Sequence, residues 1–158
     1  MATIKSLTGA GWLKDADDNF TAINAELAYT TGLHVTKFTF DTEANDNAAT
    51  PASNAEMGAH PMAVSIPDNA IVISGHVDVI TAVTSDGSAT VAIHLANAND
   101  LLTATVLTGL TEGKQLPMAA VKTAPIKLTA EKAVTVTVGT AALTAGKFDG
   151  YIVWMEGA

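Results

Sequence analysis

His76, Asp78 and His94 are the residues of this chain that come closest to a metal-binding set. Imidazole and carboxylate both ligate zinc and similar ions, and three of them converging would make a site. His76 and Asp78 are two apart, so on a strand they share a face. If residues 71–95 form a hairpin, His94 lies opposite Ile80 and diagonal to Asp78. That arrangement brings two ligands together and leaves a third unassured. The competing reading, polar residues on a strand surface, is the one adopted. His34 and His60 are linked to the trio by neither helical nor strand spacing. Ser74, ahead of Gly75-His76, lacks the GxSxG elbow of a nucleophilic serine, and HExxH, GxxxxGK(S/T) and GxGxxG are all absent. The expectation is a non-enzymatic protein that needs no metal, nucleotide or other cofactor.

The charge balance narrows the partners. The chain has 8 Lys, no Arg and 16 acidic residues, for a net charge of −8. Arginine is the preferred fork for phosphates and base edges, so its absence from an acidic chain argues against nucleic acid. There is no cysteine, hence no disulfide framework and no thiolate site. Met1-Ala2-Thr3-Ile4-Lys5 opens no apolar run of signal-peptide length, and no stretch is long enough to span a membrane. We expect a soluble product, made and kept in cytoplasm or in something assembled there. Alanine and threonine number 29 and 22 of 158 residues, and only 15% of the chain is charged. Threonine on sheet surfaces, alanine in place of large side chains and few charges suit a rigid β-protein packed against neighbours.

The elements that would position these residues are mostly strands. Residues 71–95, IVISGHVDVITAVTSDGSATVAIHL, carry two β-branched runs around a turn signal. Pairing across an Asp86-Gly87-Ser88 loop would match Val83 with Val91, Thr81 with Ile93 and Val79 with Leu95. Val77, Val79, Val83, Val91, Ile93 and Leu95 would then share one buried face. The opposite face, with Asp78, Ile80, Ala82, Ala92 and His94, is half apolar and predicts a further layer or subunit.

Leu13, Ala16, Phe20, Ile23, Leu27 and Thr30 follow 3–4–3–4–3 spacing, which predicts an amphipathic helix over 8–31. Asp15, Asp17 and Asp18 favour its start, and Gly32 its stop. The stripe could pack on the chain's own sheet, or it could dock on a partner with Trp12 as an anchor. Residues 33–40 alternate as a strand with Phe38 and Phe40 on one face. Residues 41–60 read as a long exposed loop. A short strand over 61–66 and a turn at Pro67-Asp68-Asn69 lead into 71–95. Periodicity leaves 101–107 undecided. Strands are predicted at 118–121 and 126–128, then at 133–138 with Val134, Val136 and Val138 inward, and at 148–155 with Ile152 and Trp154 on one face. The fold class is therefore mainly β: a jelly-roll-like β-sandwich over 33–158 with a loop-rich insertion at 41–60, behind an N-terminal arm at 1–32.

Several motifs carry a resemblance. Ile66-Pro67-Asp68-Asn69-Ala70-Ile71-Val72 feeds a strand with Gly75, Val77, Asp78 and Val79, followed by Gly87-Ser88-Ala89-Thr90-Val91. Leu128-Thr129-Ala130, the VTVTV run and Ala142-Leu143-Thr144-Ala145-Gly146-Lys147-Phe148 continue the pattern to an aromatic closing strand. Over residues 63–156 this resembles virion proteins of tailed bacteriophages, the head decoration (cement) and head-fibre group. Residues 11–27 also resemble the opening of phage head and tail fibre proteins. The resemblance brings no residue-level site, and it does not include residues 41–60.

It implies a non-enzymatic structural protein, a homotrimer on the outer surface of the capsid in the virion, with the major capsid protein as its partner. Many weak interfaces summed over a shell would reinforce the head. Trp12, Leu13, Phe20, Ile23 and Leu27 are the candidate partner-binding residues. The alternative is a β-sandwich module that binds carbohydrate or a host surface. Sugar sites favour exposed aromatics, and the Trp and Tyr residues are only Trp12, Tyr29, Tyr151 and Trp154. A cupin-like enzyme would need a His/Glu metal set that is not evident.

Overall fold

Period-two alternation sets the inward face of the longer described strands, with β-branched residues inward on the third, fourth and eighth and aromatic ones on the first and ninth. The computed structural model describes residues 32–44, 53–118, 121 and 124–157. The helix expected over 8–31 lies outside the described residues. In chain order the described strands are β1 (Leu33–Asp41), β2 (Gly58–Ile66), β3 (Ala70–Thr84), β4 (Thr90–His94) and β5 (Leu102–Val106). A 3₁₀ turn at Leu107–Gly109 precedes β6 (Gln115–Pro117), β7 (Ile126–Lys127), β8 (Lys132–Gly139) and β9 (Ala145–Glu156). They form two antiparallel sheets, one ordered β1-β9-β3-β6 with β7 also on β3, the other ordered β2-β8-β4-β5.

The two inward faces share one core. Val134, Val136 and Val138 of β8 are buried, as are Val91 and Ile93 of β4 and Val77, Val79 and Val83 of β3. An aromatic group fills the layer under β1 and β9. Phe40 stacks on Phe148 at 4.9 Å, and Phe38 meets Phe148 edge-on at 6.5 Å. Gly150 of β9 lies beneath the Phe38 ring, and a Cβ there would fall 2.1 Å from two ring carbons. Only glycine permits that approach.

The hairpin expected across residues 71–95 is not formed. β3 pairs with β9, β6 and β7, whereas β4 pairs with β8 and β5, so the two runs belong to opposite sheets. The residues expected on the buried face are nevertheless all buried. Alternation specifies which face turns inward, and both sheets of a layered fold demand the same alternation. The link at 85–89 spans five residues, a reach of roughly 16 Å. Sheets stack about 10 Å apart, so the link can cross between them.

Three other expectations change. A strand lies at Gln115–Pro117, just ahead of the one predicted at 118–121; Met118 follows it, buried in the core, and residues 119–120 lie outside the described residues. Pro117 has no N–H to donate, which suits an outer strand. The undecided 101–107 region contains β5, an edge of the second sheet. Residues 41–60 are not an exposed loop at their described ends. Thr42, Asn54 and His60 are buried, and the Asn54 amide donates to the Asp41 carbonyl at 3.1 Å. The Thr42 N–H bonds Gly146 and the Leu143 N–H bonds Ala55, which ties both ends to β9 and the turn before it.

The connection between β4 and β5 is closed by one side chain. Asp100 accepts the N–H of Leu95 at 2.8 Å on one oxygen, and those of Ala96 and Asn97 at 2.9 and 2.8 Å on the other. Asn99 supplies the left-handed residue of this turn, with φ 63°.

Candidate interaction surfaces

The outer face of the first sheet is a ladder of paired charges. β9 lies between β1 and β3, and its odd-numbered residues from Lys147 to Tyr151 point away from the core. Lys147 pairs with Asp41 at 3.0 Å, and Lys37 with Asp149 at 3.1 Å. Thr39 donates its hydroxyl to the other Asp149 oxygen at 2.6 Å. Across the sheet, Asp78 is the register partner of Asp149 and His76 that of Tyr151. The His76 and Tyr151 rings stack at 4.8 Å with 14° between planes, and the Lys37 ammonium lies 6.0 Å from the Tyr151 centroid. Each Asp149 oxygen therefore has a donor, and the like charge of Asp78 sits beside a carboxylate that Lys37 already neutralises.

Two of these groups titrate away from their ordinary values. Asp41 is held below 3.8, first by the Glu43 N–H donated to it at 3.0 Å, then by Lys147. Lys147 is raised above 10.5 by the same pair. A lowered carboxylate stabilises the fold above its unfolded value and loses that contribution as pH falls through the folded one. A raised lysine stabilises below its unfolded value and loses the contribution as pH rises through the folded one. Lys147 is solvent-exposed, so the effect is small and screened by salt. Lys147→Ala should therefore cost a little stability at neutral pH and almost nothing once the pH has fallen through the lowered Asp41 value, or in molar salt. Urea unfolding of both proteins under those conditions would show it, and a difference that persists in acid would mean the pair is not its cause.

The structure does not assemble the histidine–carboxylate trio. His76 and Asp78 lie on β3 of the first sheet, while His94 lies on β4 of the second, its Nδ1 3.5 Å from the Thr137 hydroxyl. Among the described residues no three His, Cys, Asp or Glu side chains come together as metal ligands. His60 is buried edge-on to Phe40, and its Nε2 lies 2.9 Å from the Glu56 carbonyl. A carbonyl only accepts, so Nε2 carries the proton. Ser74 is an exposed residue of β3 beside a register shift. Trp12, Leu13, Phe20, Ile23 and Leu27 lie outside the described residues. No helix of the described residues is long and apolar enough to cross a membrane.

Sequence reasoning missed the end of the molecule where the turns between sheets gather. The 85–89 turn is fastened to the 140–144 turn. Ser85 donates its hydroxyl to the Ala142 carbonyl, the Thr84 and Thr144 hydroxyls lie 2.8 Å apart, and the Thr144 N–H bonds the Thr84 carbonyl at 2.8 Å. Between this turn and residues 106–108 opens a cleft of about 470 Å³. Val83, Ser85, Ser88, Ala89, Val106 and Leu107 are among its lining residues, and no charged side chain is. A signal was present in the sequence: residues 101–111 and 133–146 carry no charge at all.

No protein-family model matches this chain, and no curated protein does either. Solved structures do match. A chain in the acidic stable capsid structure of Helicobacter pylori bacteriophage KHP30 superposes with a TM-score of 0.56 at 14% identity, over 80% of this chain and 89% of that one. The fold is one found in phage capsids. The capsid of Ralstonia phage GP4 contains a similar chain, with a TM-score of 0.54 and 16% identity over 80% of this chain and 85% of that one. The cyanophage Pam1 capsid asymmetric unit gives 0.56 and 15%, over 78% and 84%. Identities this low relate folds, and the paired charges of the outer face are features of this chain read on their own.

Proposed function

We propose that this chain is a non-enzymatic structural protein of a bacteriophage head, a decoration or cement protein that binds the major capsid protein. The observation that carries the reading is the match to chains from three phage capsids over about four-fifths of this chain's length. Strand order supports it. β1-β9-β3-β6/β7 facing β2-β8-β4-β5 is the order produced by two nested Greek keys, and we read it as a jelly roll. The ion-paired outer face and the uncharged segments 101–111 and 133–146 suit repeated contact with neighbours in a shell rather than turnover of a substrate. In this reading the protein forms a homotrimer on the capsid surface, and Trp12, Leu13, Phe20, Ile23 and Leu27 bind the partner. Each of the last four aliphatic or aromatic side chains would contribute roughly 1.5–3 kcal/mol if fully covered. Carbohydrate recognition gains no support from the described aromatics. Trp154 is buried and donates to the Thr36 hydroxyl at 2.9 Å, while Tyr151 is stacked on His76.

The test is co-sedimentation with empty phage heads assembled from the major capsid protein of the same phage. The full chain should pellet with heads and stay in the supernatant alone. A Phe20→Ala, Ile23→Ala double variant should keep its β-type unfolding transition and lose pelleting. Failure of the full chain to bind heads would count against the decoration role. Pelleting by the double variant at wild-type level would remove the arm from it.

A further inference from the structure

Two Asp-Gly pairs occur in this chain, Asp86-Gly87 and Asp149-Gly150, and the fold treats them in opposite ways. An aspartyl residue followed by glycine is open to attack by its own backbone. With no Cβ on the second residue, its amide nitrogen reaches the aspartyl Cγ without steric hindrance. Asp86 and Gly87 are both exposed in the 85–89 turn. The Asp86 carboxylate has no hydrogen bond or ion pair among the described residues. The Gly87 N–H donates to the neighbouring Ser85 hydroxyl at 3.1 Å, an exposed bond that water replaces at little cost. Asp149 and Gly150 lie inside β9, between β1 and β3. Lys37 at 3.1 Å and Thr39 at 2.6 Å engage the two Asp149 oxygens. Gly150 is held in register with Val77 beneath the Phe38 ring, so its nitrogen cannot turn toward Cγ.

We propose that Asp86 is a self-modification site, which converts through a cyclic imide to isoaspartate in the folded protein, while the sheet keeps Asp149 from the same reaction. In the first step the Gly87 nitrogen bonds to Cγ of the protonated Asp86 carboxyl. The Cγ–OH bond breaks, and the hydroxyl leaves with the amide proton as water. Solvent water then opens the imide at one of its two carbonyls. Addition at Cγ returns aspartate. Addition at the former main-chain carbonyl leaves the chain running through Cβ and Cγ, with the carboxylate on Cα. Nothing is oxidised or reduced, and the charge is unchanged. The backbone becomes one methylene longer ahead of Gly87, and Gly87 has no slack to take it up. A Cβ there would already fall 2.8 Å from the Ala141 Cβ. The Ser85 hydroxyl that receives the Gly87 N–H also donates to the Ala142 carbonyl. Isoaspartate therefore works against the fastening between the 85–89 and 140–144 turns, where the chain crosses from one sheet to the other. This chemistry does not depend on the chain binding a capsid.

The test is storage of the purified full chain at neutral pH, below its unfolding temperature, followed by enzymatic methylation of isoaspartyl carboxylates and peptide mapping. Label should accumulate in the peptide that holds Asp86, about a hundredfold or more faster than in the one that holds Asp149, because a strand between two neighbours opens only with most of the fold. In guanidinium chloride the two sites should react at similar rates, since only the fold separates them. Asp86→Glu, whose cyclic imide would need a larger ring, should lose the label at that position and keep the parent's urea midpoint. The isoaspartyl form, separated by chromatography, should unfold at a lower urea concentration than the parent. Absence of isoaspartate at Asp86 in the folded chain, equal rates at the two sites before unfolding, or an undiminished label in Asp86→Glu overturns the assignment. Equal urea midpoints for the isoaspartyl and parent forms would overturn the conflict at Gly87.

Discussion

Gly150→Ala should destabilise the protein by about 3 kcal/mol, the upper part of the range for overpacking a core. The added methyl would lie 2.1 Å from Cε1 and Cζ of Phe38, where carbon atoms normally keep about 3.5–4.0 Å. The Phe38 ring cannot simply swing aside, because Phe148 meets it edge-on and Phe38 is itself buried. Backbone adjustment is no easier. Gly150 is the register partner of Val77, and β9 lies between β1 and β3, so a shift disturbs two ladders. The check is the urea midpoint at unchanged slope. Phe38→Ala alone should cost about 3–5 kcal/mol through the cavity it leaves. Combined with Gly150→Ala, the loss should fall short of the sum by roughly 1–3 kcal/mol, since the new methyl occupies part of that cavity. Strict additivity would show that the ring contact does not explain the glycine.

Phe148→Ala should be the most damaging truncation, at about 3–5 kcal/mol. Phe148 is fully buried, stacks on Phe40 and abuts Phe38, so it joins all three rings. Domains of this kind are stable by roughly 5–15 kcal/mol in total, so the variant should be partly unfolded or close to it near body temperature. Ile80→Ala, on the exposed outer face, should stay within about 0.5 kcal/mol of wild type. Thermal melts of both would decide. A Phe148→Ala melt close to that of Ile80→Ala would mean the aromatic layer is not what holds β1 and β9 to the core.

The inward residues were legible in the sequence, and their partners were not. Val134, Val136 and Val138 alternate cleanly and are buried, as are Phe38 and Phe40. Alternation is local, so a single strand reports it. Pairing is not local. Val83 and Val91 fit a hairpin as well as they fit two facing sheets, and only the partners contributed by β9 and β8, tens of residues away, decide between them. His60 was obscured for a related reason: Asn, Ala and Asp around it signal exposure, while its burial comes from Phe40 on another strand. The histidine–carboxylate trio depended on the hairpin and separated with it. The ion pairs Lys37–Asp149 and Lys147–Asp41 link positions more than a hundred residues apart, beyond the reach of any spacing rule. The charge-free segments 101–111 and 133–146, by contrast, were open to view in the composition, and what they lacked was a place in space.

β9, the last of the described strands, fills the gap between β1 and β3. While the chain is being made, those two strands leave the ribosome well before the segment that joins them. Both therefore wait as open edges until Glu156 has been synthesised. Such distant pairings make for slow folding, on the order of milliseconds to seconds, and the waiting chain is exposed to the same edge-to-edge association that a finished sheet avoids. A nascent chain of this protein is thus open to such association until Ala145–Glu156 is in place.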